Sequence, residues 1–212
     1  MKVGKFIVLE GIDGSGKTNA IQFIKNLLEK QDIPKIITVR EPGSTLLSEK
    51  IRKIIKYNFY EEKISTRTEL LLMCAARVQV VENIIKPALK NGNWVLGDRH
   101  VLSTLAYQGG KNGKNQDLIK KIHKKIFKNF YPNLTIYLDV NPKLSMKRII
   151  NRKNKDRIEK KKKKFFLQTH ENYLRETKNI KNIITINANF EINIVHKLIK
   201  EKLLFWVKKN NI

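Results

Sequence analysis

A single cysteine, Cys74, among 212 residues leaves no partner for an intrachain disulfide. A fold without such cross-links suits a reducing compartment. No stretch of about 18 uncharged apolar residues occurs, so no membrane-spanning helix is expected. The 10 glycines and 5 prolines never gather into a linker. There is no internal repeat and no long low-complexity tract, so 1–212 reads as one domain. Met1 to Lys5 passes straight into a short apolar strand, and an acidic residue and glycines follow at once. That leaves no room for the apolar region of a signal peptide. The expectation is a cytoplasmic protein with no membrane association. Acidic residues are scarce, with 19 Asp and Glu against 44 Lys and Arg, a net charge of +25. Such an excess suits a polyanionic partner. Yet the lysines are spread from end to end among abundant Asn and Ile, and all three residue types have A/T-rich codons. Genomic base bias explains the excess, and no specific nucleic-acid binding is expected.

What is present is enough apolar material, 41% of residues, for one substantial core. Short β-branched runs alternate with longer helical patterns, which is the mark of a parallel sheet covered on both faces. Strands are expected at Phe6–Glu10, Ile36–Val39, Trp94–Asp98, Leu134–Asp139 and Ile183–Ile186. Helices are expected at about 17–31, 45–57, 66–90, 115–128, 142–151, 160–178 and 191–208. In the last of these Ile194 and Leu198, and Val195 and Ile199, recur at helical spacing, continuing to Leu203 and Trp206. The fold class is α/β, in three layers.

Between the first strand and the first helix lies Gly11-Ile12-Asp13-Gly14-Ser15-Gly16-Lys17-Thr18, which fits the P-loop pattern G-x-x-x-x-G-K-[ST]. Glycines let the backbone turn tightly and aim consecutive N–H groups at phosphate oxygens, at the positive end of the helix dipole. Lys17 can reach the β- and γ-phosphates, and the Thr18 hydroxyl can bind Mg²⁺. Asp98 is the other residue assigned to the metal. The motif points to ATP with Mg²⁺, on a P-loop NTPase fold, and leaves the acceptor open.

Later segments bear on the acceptor. Arg40-Glu41-Pro42-Gly43-Ser44-Thr45 closes the second expected strand, and Asp98-Arg99-His100 closes the third. Ligands of open α/β sheets bind beyond the carboxyl ends of strands. Arg40 and Arg99 therefore share a rim with the P-loop, where their forked guanidinium groups suit a second phosphate.

With these pieces, and with Ala75-Ala76-Arg77, Ser103, Ala106-Tyr107-Gln108-Gly109-Gly110 and Asp156-Arg157-Ile158-Glu159, the chain resembles the bacterial thymidylate kinase family along nearly its whole length. The resemblance implies a five-stranded parallel sheet, a mobile lid, a homodimer, and phosphorylation of dTMP by ATP. It implies that Asp13 contacts the sugar and positions the acceptor side, and that Arg40 and Arg99 hold the dTMP phosphate. It further implies that Arg77 hydrogen-bonds the thymine edge, that Ser103 and Gln108 line the same pocket, and that Tyr107 crowds the sugar C2′. The segment 148–160 corresponds to the lid. Position 14 is Gly, so the P-loop offers no arginine, and either Arg152 or Arg157 is expected to join Lys17 on the migrating phosphoryl group.

Three departures from the family pattern stand out. Ser44 occupies the usual place of a second Gly, Asn19 replaces a Thr or Ser, and Met73 sits where a Phe usually stacks on thymine. The run Lys160–Lys164 reads as the solvated start of a helix, with its charge opposed to the helix dipole. Two other readings stay open: a kinase of the same fold acting on another nucleoside monophosphate, and a basic nucleic-acid-binding P-loop ATPase.

Overall fold

The computed structural model describes residues 4–31, 33, 35–59, 61–150 and 155–210. Five parallel strands, β1 (Phe6–Glu10), β2 (Ile36–Arg40), β3 (Trp94–Asp98), β4 (Leu134–Asp139) and β5 (Ile183–Asn187), lie in the order β2-β3-β1-β4-β5. The strand centres are those read from sequence, with β2 and β5 each one residue longer. β1 is buried at every position because helices cover both faces. Ile7 and Leu9 point toward α1 (Lys17–Glu29) and α9 (Ile192–Lys209), where Ile24, Leu28, Ile199 and Leu203 meet them. Phe6 and Val8 point the other way, into a cluster with Val80, Val81, Ile85 and Phe127. Fully burying one such side chain contributes roughly 1.5–3 kcal/mol.

The span 66–90 is helical throughout but not uniform. α3 (Thr66–Val80), capped by the Ser65 side chain, runs into a π-helical turn over Val81–Ile85 and then into α4 (Lys86–Lys90). Pro87 lacks the N–H that an α-helix needs there, and the wide turn falls just before it. α2 (Leu46–Lys56) starts on a Thr45 side-chain cap and packs on α3. α6 (Gln116–Phe127) and α7 (Pro142–Ile150) keep close to their expected spans.

Two differences concern helices. α5 (Val101–Tyr107) was not expected, and its residues 101 to 106 are all buried. A helix buried all round has no polar face, so it carries no amphipathic period in the sequence. α8 begins at Lys163 and ends at Thr177, so Lys160–Lys162 precede the helix. Asp156 Oδ1 instead accepts from the Ile158 and Glu159 N–H groups at 2.9 and 3.0 Å and closes a turn there. The five lysines Lys160–Lys164 are exposed, which agrees with a solvated run. Among the described residues, no helix is long and apolar enough to cross a membrane.

Candidate active site

β1 delivers the chain into the glycine-rich loop, and α1 carries it away. Gly11, Gly14 and Gly16 all have positive φ, at 147°, 80° and 94°. At Gly14 a Cβ would come within 2.6 Å of the Ser145 carbonyl oxygen, so α7 packs on the loop only because that side chain is absent. The Ser145 hydroxyl reinforces this contact by donating to the Asp13 carbonyl at 2.5 Å. Around Gly16, by contrast, no atom lies within 4 Å of a Cβ position, and this open side belongs to the cavity described below. The first turn of α1 contains no acidic residue, so its N-terminal dipole stands free for an anion.

Lys17 is buried, and its Nζ donates to the Gly11 and Ile12 carbonyls at 3.0 and 3.1 Å. Burial and the Arg99 charge lower its pKa to about 8 against the opposing pull of Asp98, Asp13 and Glu10. Two oxygens in this region, Ser15 Oγ and Asp98 Oδ1, are buried without a hydrogen-bond partner among the described residues. Thr18 and Asp98 both line the cavity. Among the described residues no group of three or more His, Cys, Asp or Glu gathers to make a complete metal cage. A hydroxyl, a carboxylate and open space suit Mg²⁺, which keeps waters and binds phosphate oxygens alongside one or two protein ligands.

Beside the loop stands a network centred on Arg99. Its Nη1 donates to the Gly11 carbonyl at 2.9 Å and to Ser103 Oγ at 3.0 Å, while Nη2 reaches Asp13 Oδ1 at 2.5 Å. Tyr107 donates its hydroxyl to Asp13 Oδ2 at 2.8 Å, and the Arg99 guanidinium lies 5.0 Å from the Tyr107 ring centre. Burial opposes ionisation of Asp13, but Arg99 and Lys17 outweigh it and hold the carboxyl well below the usual carboxylate range. Behind it, Glu10 is fully buried and accepts from the His100 N–H (2.7 Å), Ser103 Oγ (2.6 Å) and Tyr173 OH (3.0 Å). Burial pushes its carboxyl up, against these hydrogen bonds and Arg99. Tyr173, from α8, had no role in the sequence reading; a lone tyrosine on a helix carries no local signal.

A cavity of about 350 Å³ opens from the P-loop. Asp13, Gly14, Gly16, Lys17, Thr18, Asp98, Arg99, Ser103, Tyr107, Gln108 and Met73 line it, so one hollow brings together most of the expected site residues. Gly11, Ile12 and Ser15 belong to the loop but are not among the lining residues. Arg40 and Arg77 are not among the lining residues. The Arg40 side chain is 53% exposed and pairs with Glu49 at 2.9 Å. Arg77 is buried, donating to Glu41 Oε2 at 2.6 Å, Thr104 Oγ1 at 2.7 Å and the His100 carbonyl at 3.0 Å. Two arginines not singled out from sequence do line the cavity: Arg52 of α2, anchored on the Pro42 carbonyl at 2.7 Å, and Arg148 of α7.

From the segment expected to form the lid, Asp156, Ile158 and Glu159 line the cavity. Arg157 does not. Its Nε donates to the Ile55 carbonyl at 2.9 Å, and its Nη2 pairs with Glu69. Arg152 lies outside the described residues.

Ser44 takes up a left-handed conformation at φ 73°, the geometry that a second glycine supplies freely. Its hydroxyl accepts from the Arg40 N–H at 2.8 Å, and its own N–H donates to Glu49 at 2.7 Å. Replacing Ser44 with Gly removes this hydrogen bond, worth about 1 kcal/mol, and relieves a strain of about the same size. Replacing it with Ala removes the bond and keeps the strain. Urea unfolding is expected to find Ser44→Gly close to the parent and Ser44→Ala about 1 kcal/mol less stable.

A family model described as thymidylate kinase matches residues 9–199. The chain is similar to the thymidylate kinase of Buchnera aphidicola subsp. Schizaphis graminum, at 50% identity over 205 residues and 97% of each chain. It is similar to that of Wigglesworthia glossinidia brevipalpis, at 45% identity over an alignment of 228 residues and 97% of each chain. To that of Vibrio vulnificus it is 44% identical over 209 residues, covering 99% of each.

Proposed function

The chain belongs to the thymidylate kinase family, and from that premise we propose that it transfers the γ-phosphoryl group of ATP to dTMP, forming ADP and dTDP for DNA precursor synthesis. The observation that carries this reading is the one cavity shared by the P-loop, Arg99, Arg52 and the Met73–Gln108 end. The bond from the γ-phosphorus to the β,γ-bridging oxygen breaks, and a bond to an oxygen of the dTMP phosphate forms. A phosphate monoester has its second pKa near 6, so at neutral pH the attacking oxygen needs no general base. Catalysis then rests on positioning and charge neutralisation.

Each residue has a task in that scheme. The N–H groups of Gly11 to Thr18 hold the donor phosphates, and Lys17 neutralises charge at the transferred group. Thr18 and Asp98 would hold Mg²⁺, which would supply positive charge to offset that of the donor phosphates. Arg99 and Arg52 grip the acceptor phosphate. Asp13, anionic and bonded to both Arg99 and Tyr107, keeps those two side chains in register. Tyr107 faces the sugar, while Met73, Ser103 and Gln108 face the base. Arg77 acts from behind the wall, through Glu41, while Arg40, paired with Glu49, stands outside it. The reaction takes place in the cytoplasm. The protein works as a homodimer, a reading supported by Leu46, Leu47, Ile54 and Leu71, which α2 and α3 leave exposed. Sedimentation at micromolar concentration tests the dimer.

Purified protein supplied with ATP, Mg²⁺ and a panel of nucleoside monophosphates tests the reaction. Turnover is expected with dTMP above the others, and a different preferred base points to another kinase of this fold. Met73 offers a finer check. A methionine sulfur on an aromatic ring contributes about 0.3–1.5 kcal/mol and a stacked phenyl ring about 0.5–1.5 kcal/mol. Met73→Phe is therefore expected to change the dTMP Kd by less than about tenfold. Met73→Ala leaves a void as well and is expected to bind more weakly than the parent. Unchanged affinity in Met73→Ala takes this residue off the base.

A further inference from the structure

Glu69 and Arg157 are a largely buried acid and a lid arginine to which the scheme above gives no task. Glu69 lines the cavity from α3, and its two carboxylate oxygens are divided between two partners. Oε1 accepts from Gln108 Nε2 at 2.6 Å, and Oε2 pairs with Arg157 Nη2. Arg157 is itself anchored on the end of α2, by its Nε on the Ile55 carbonyl at 2.9 Å and its N–H on the Lys56 carbonyl at 3.3 Å. The neighbouring Asp156 adds an ion pair with Lys56 at 2.7 Å. A continuous chain of contacts thus runs from the lid through Glu69 to Gln108.

The chemistry of that chain has one orientation. A carboxylate only accepts hydrogen bonds, so Glu69 dictates that the NH₂ end of the Gln108 amide faces it. The carbonyl end is thereby turned away from Glu69. Gln108 lines the cavity, and its Oε1 is buried without a hydrogen-bond partner among the described residues. A buried acceptor in that condition favours a ligand that brings a donor. The N3–H of thymine or uracil is such a donor. N3 of cytosine only accepts, and against the same oxygen it meets a lone pair.

We infer that Glu69 is a specificity-determining positioning residue, which sets the Gln108 amide to select imide-bearing pyrimidines over cytosine, and that Arg157 couples the lid to this choice by holding Glu69. The inference rests on the reading that the pocket takes a pyrimidine monophosphate. It assigns Arg157 to base selection, away from the migrating phosphoryl group.

The test is equilibrium binding of dTMP and of dCMP, without ATP, to the parent, Glu69→Gln, Arg157→Ala, Arg157→Lys and Gln108→Leu. Glu69→Gln keeps the shape but offers both a donor and an acceptor, so the Gln108 amide is free to reverse. The ratio of dTMP to dCMP affinity is expected to fall at least about tenfold in Glu69→Gln. In Arg157→Ala it is expected to fall in the same direction, with partial recovery in Arg157→Lys. Thermal unfolding of each variant shows that the compared proteins are folded. An unchanged ratio in folded Glu69→Gln overturns the proposal. A lowered kcat with an unchanged affinity ratio in Arg157→Ala returns this arginine to the phosphoryl group and overturns the coupling. A parent with no preference for dTMP, and Gln108→Leu binding both nucleotides like the parent, marks failure of the underlying substrate reading instead.

Discussion

Lys17→Ala is expected to lower kcat by about two orders of magnitude or more, with the KM for dTMP moved only a few-fold. The asymmetry follows from where the charge sits. Lys17 lies inside the P-loop, with Nζ on the Gly11 and Ile12 carbonyls, whereas the acceptor phosphate is assigned to Arg99 and Arg52. Charge builds at the transferred group in the transition state, so its loss appears in turnover. Steady-state kinetics with dTMP varied at saturating ATP decides the matter. A variant in which only the dTMP KM changed moves Lys17 to the acceptor side. A pH profile supplies a second readout. Burial and Arg99 bring the Lys17 pKa to about 8, so its charge is present below that pH and lost above it. ATP binding to the free enzyme is expected to weaken as pH rises past about 8, and this pH dependence should vanish in Lys17→Ala.

The other large effect is expected in stability. Arg77, Glu41 and His100 form a buried group, with Arg77 and Glu41 side chains each 2% exposed. Removing one member of a buried ion pair costs about 3–5 kcal/mol, because the partner is left charged in a poorly solvating place. Arg77→Met is therefore expected to lose about that much in urea unfolding at pH 7. Adding Glu41→Gln to Arg77→Met should restore part of the loss. Burial alone would raise the Glu41 pKa, but His100 and Arg77 offset it and hold it below the ordinary value. A carboxyl whose folded pKa is depressed stabilises the protein above its unfolded pKa, and that stability is lost as pH falls through the folded value. The parent should thus shed this increment on acidification, and Arg77→Met should shed less. If Arg77→Met unfolds at the parent's urea midpoint and only loses dTMP affinity, Arg77 belongs on the thymine edge, as the family resemblance implied.

The P-loop, the five strand centres and the α/β class were legible in the sequence because each depends on neighbours in the chain. Gly11 to Thr18 contains its own turn-makers and phosphate-binding groups, and a strand buried on both faces must be a short apolar run whatever surrounds it. The π-helical turn was not read from sequence, where 66–90 was expected as one helix, because Pro87 removes one N–H but does not say how the helix absorbs the loss. α5 was not legible, because a helix buried on every side has no polar face to set its period.

Which arginines face the cavity was decided by tertiary structure alone. Arg40, Arg52, Arg77 and Arg157 are the same residue type, and residue type fixes only what a guanidinium can bind. Glu49 and Glu41 take Arg40 and Arg77 away from the cavity, and Glu69 takes Arg157. These partners lie 9, 36 and 88 positions away in the chain. Arg52, held by the Pro42 carbonyl, is left facing in. A carboxylate brought close by the fold competes for each guanidinium, and a distance set by folding has no trace in local spacing. The sequence by itself therefore determined the chemistry available to this protein, and the packing of α2, α3 and the 156–159 turn against one another decided which cations remain for a ligand.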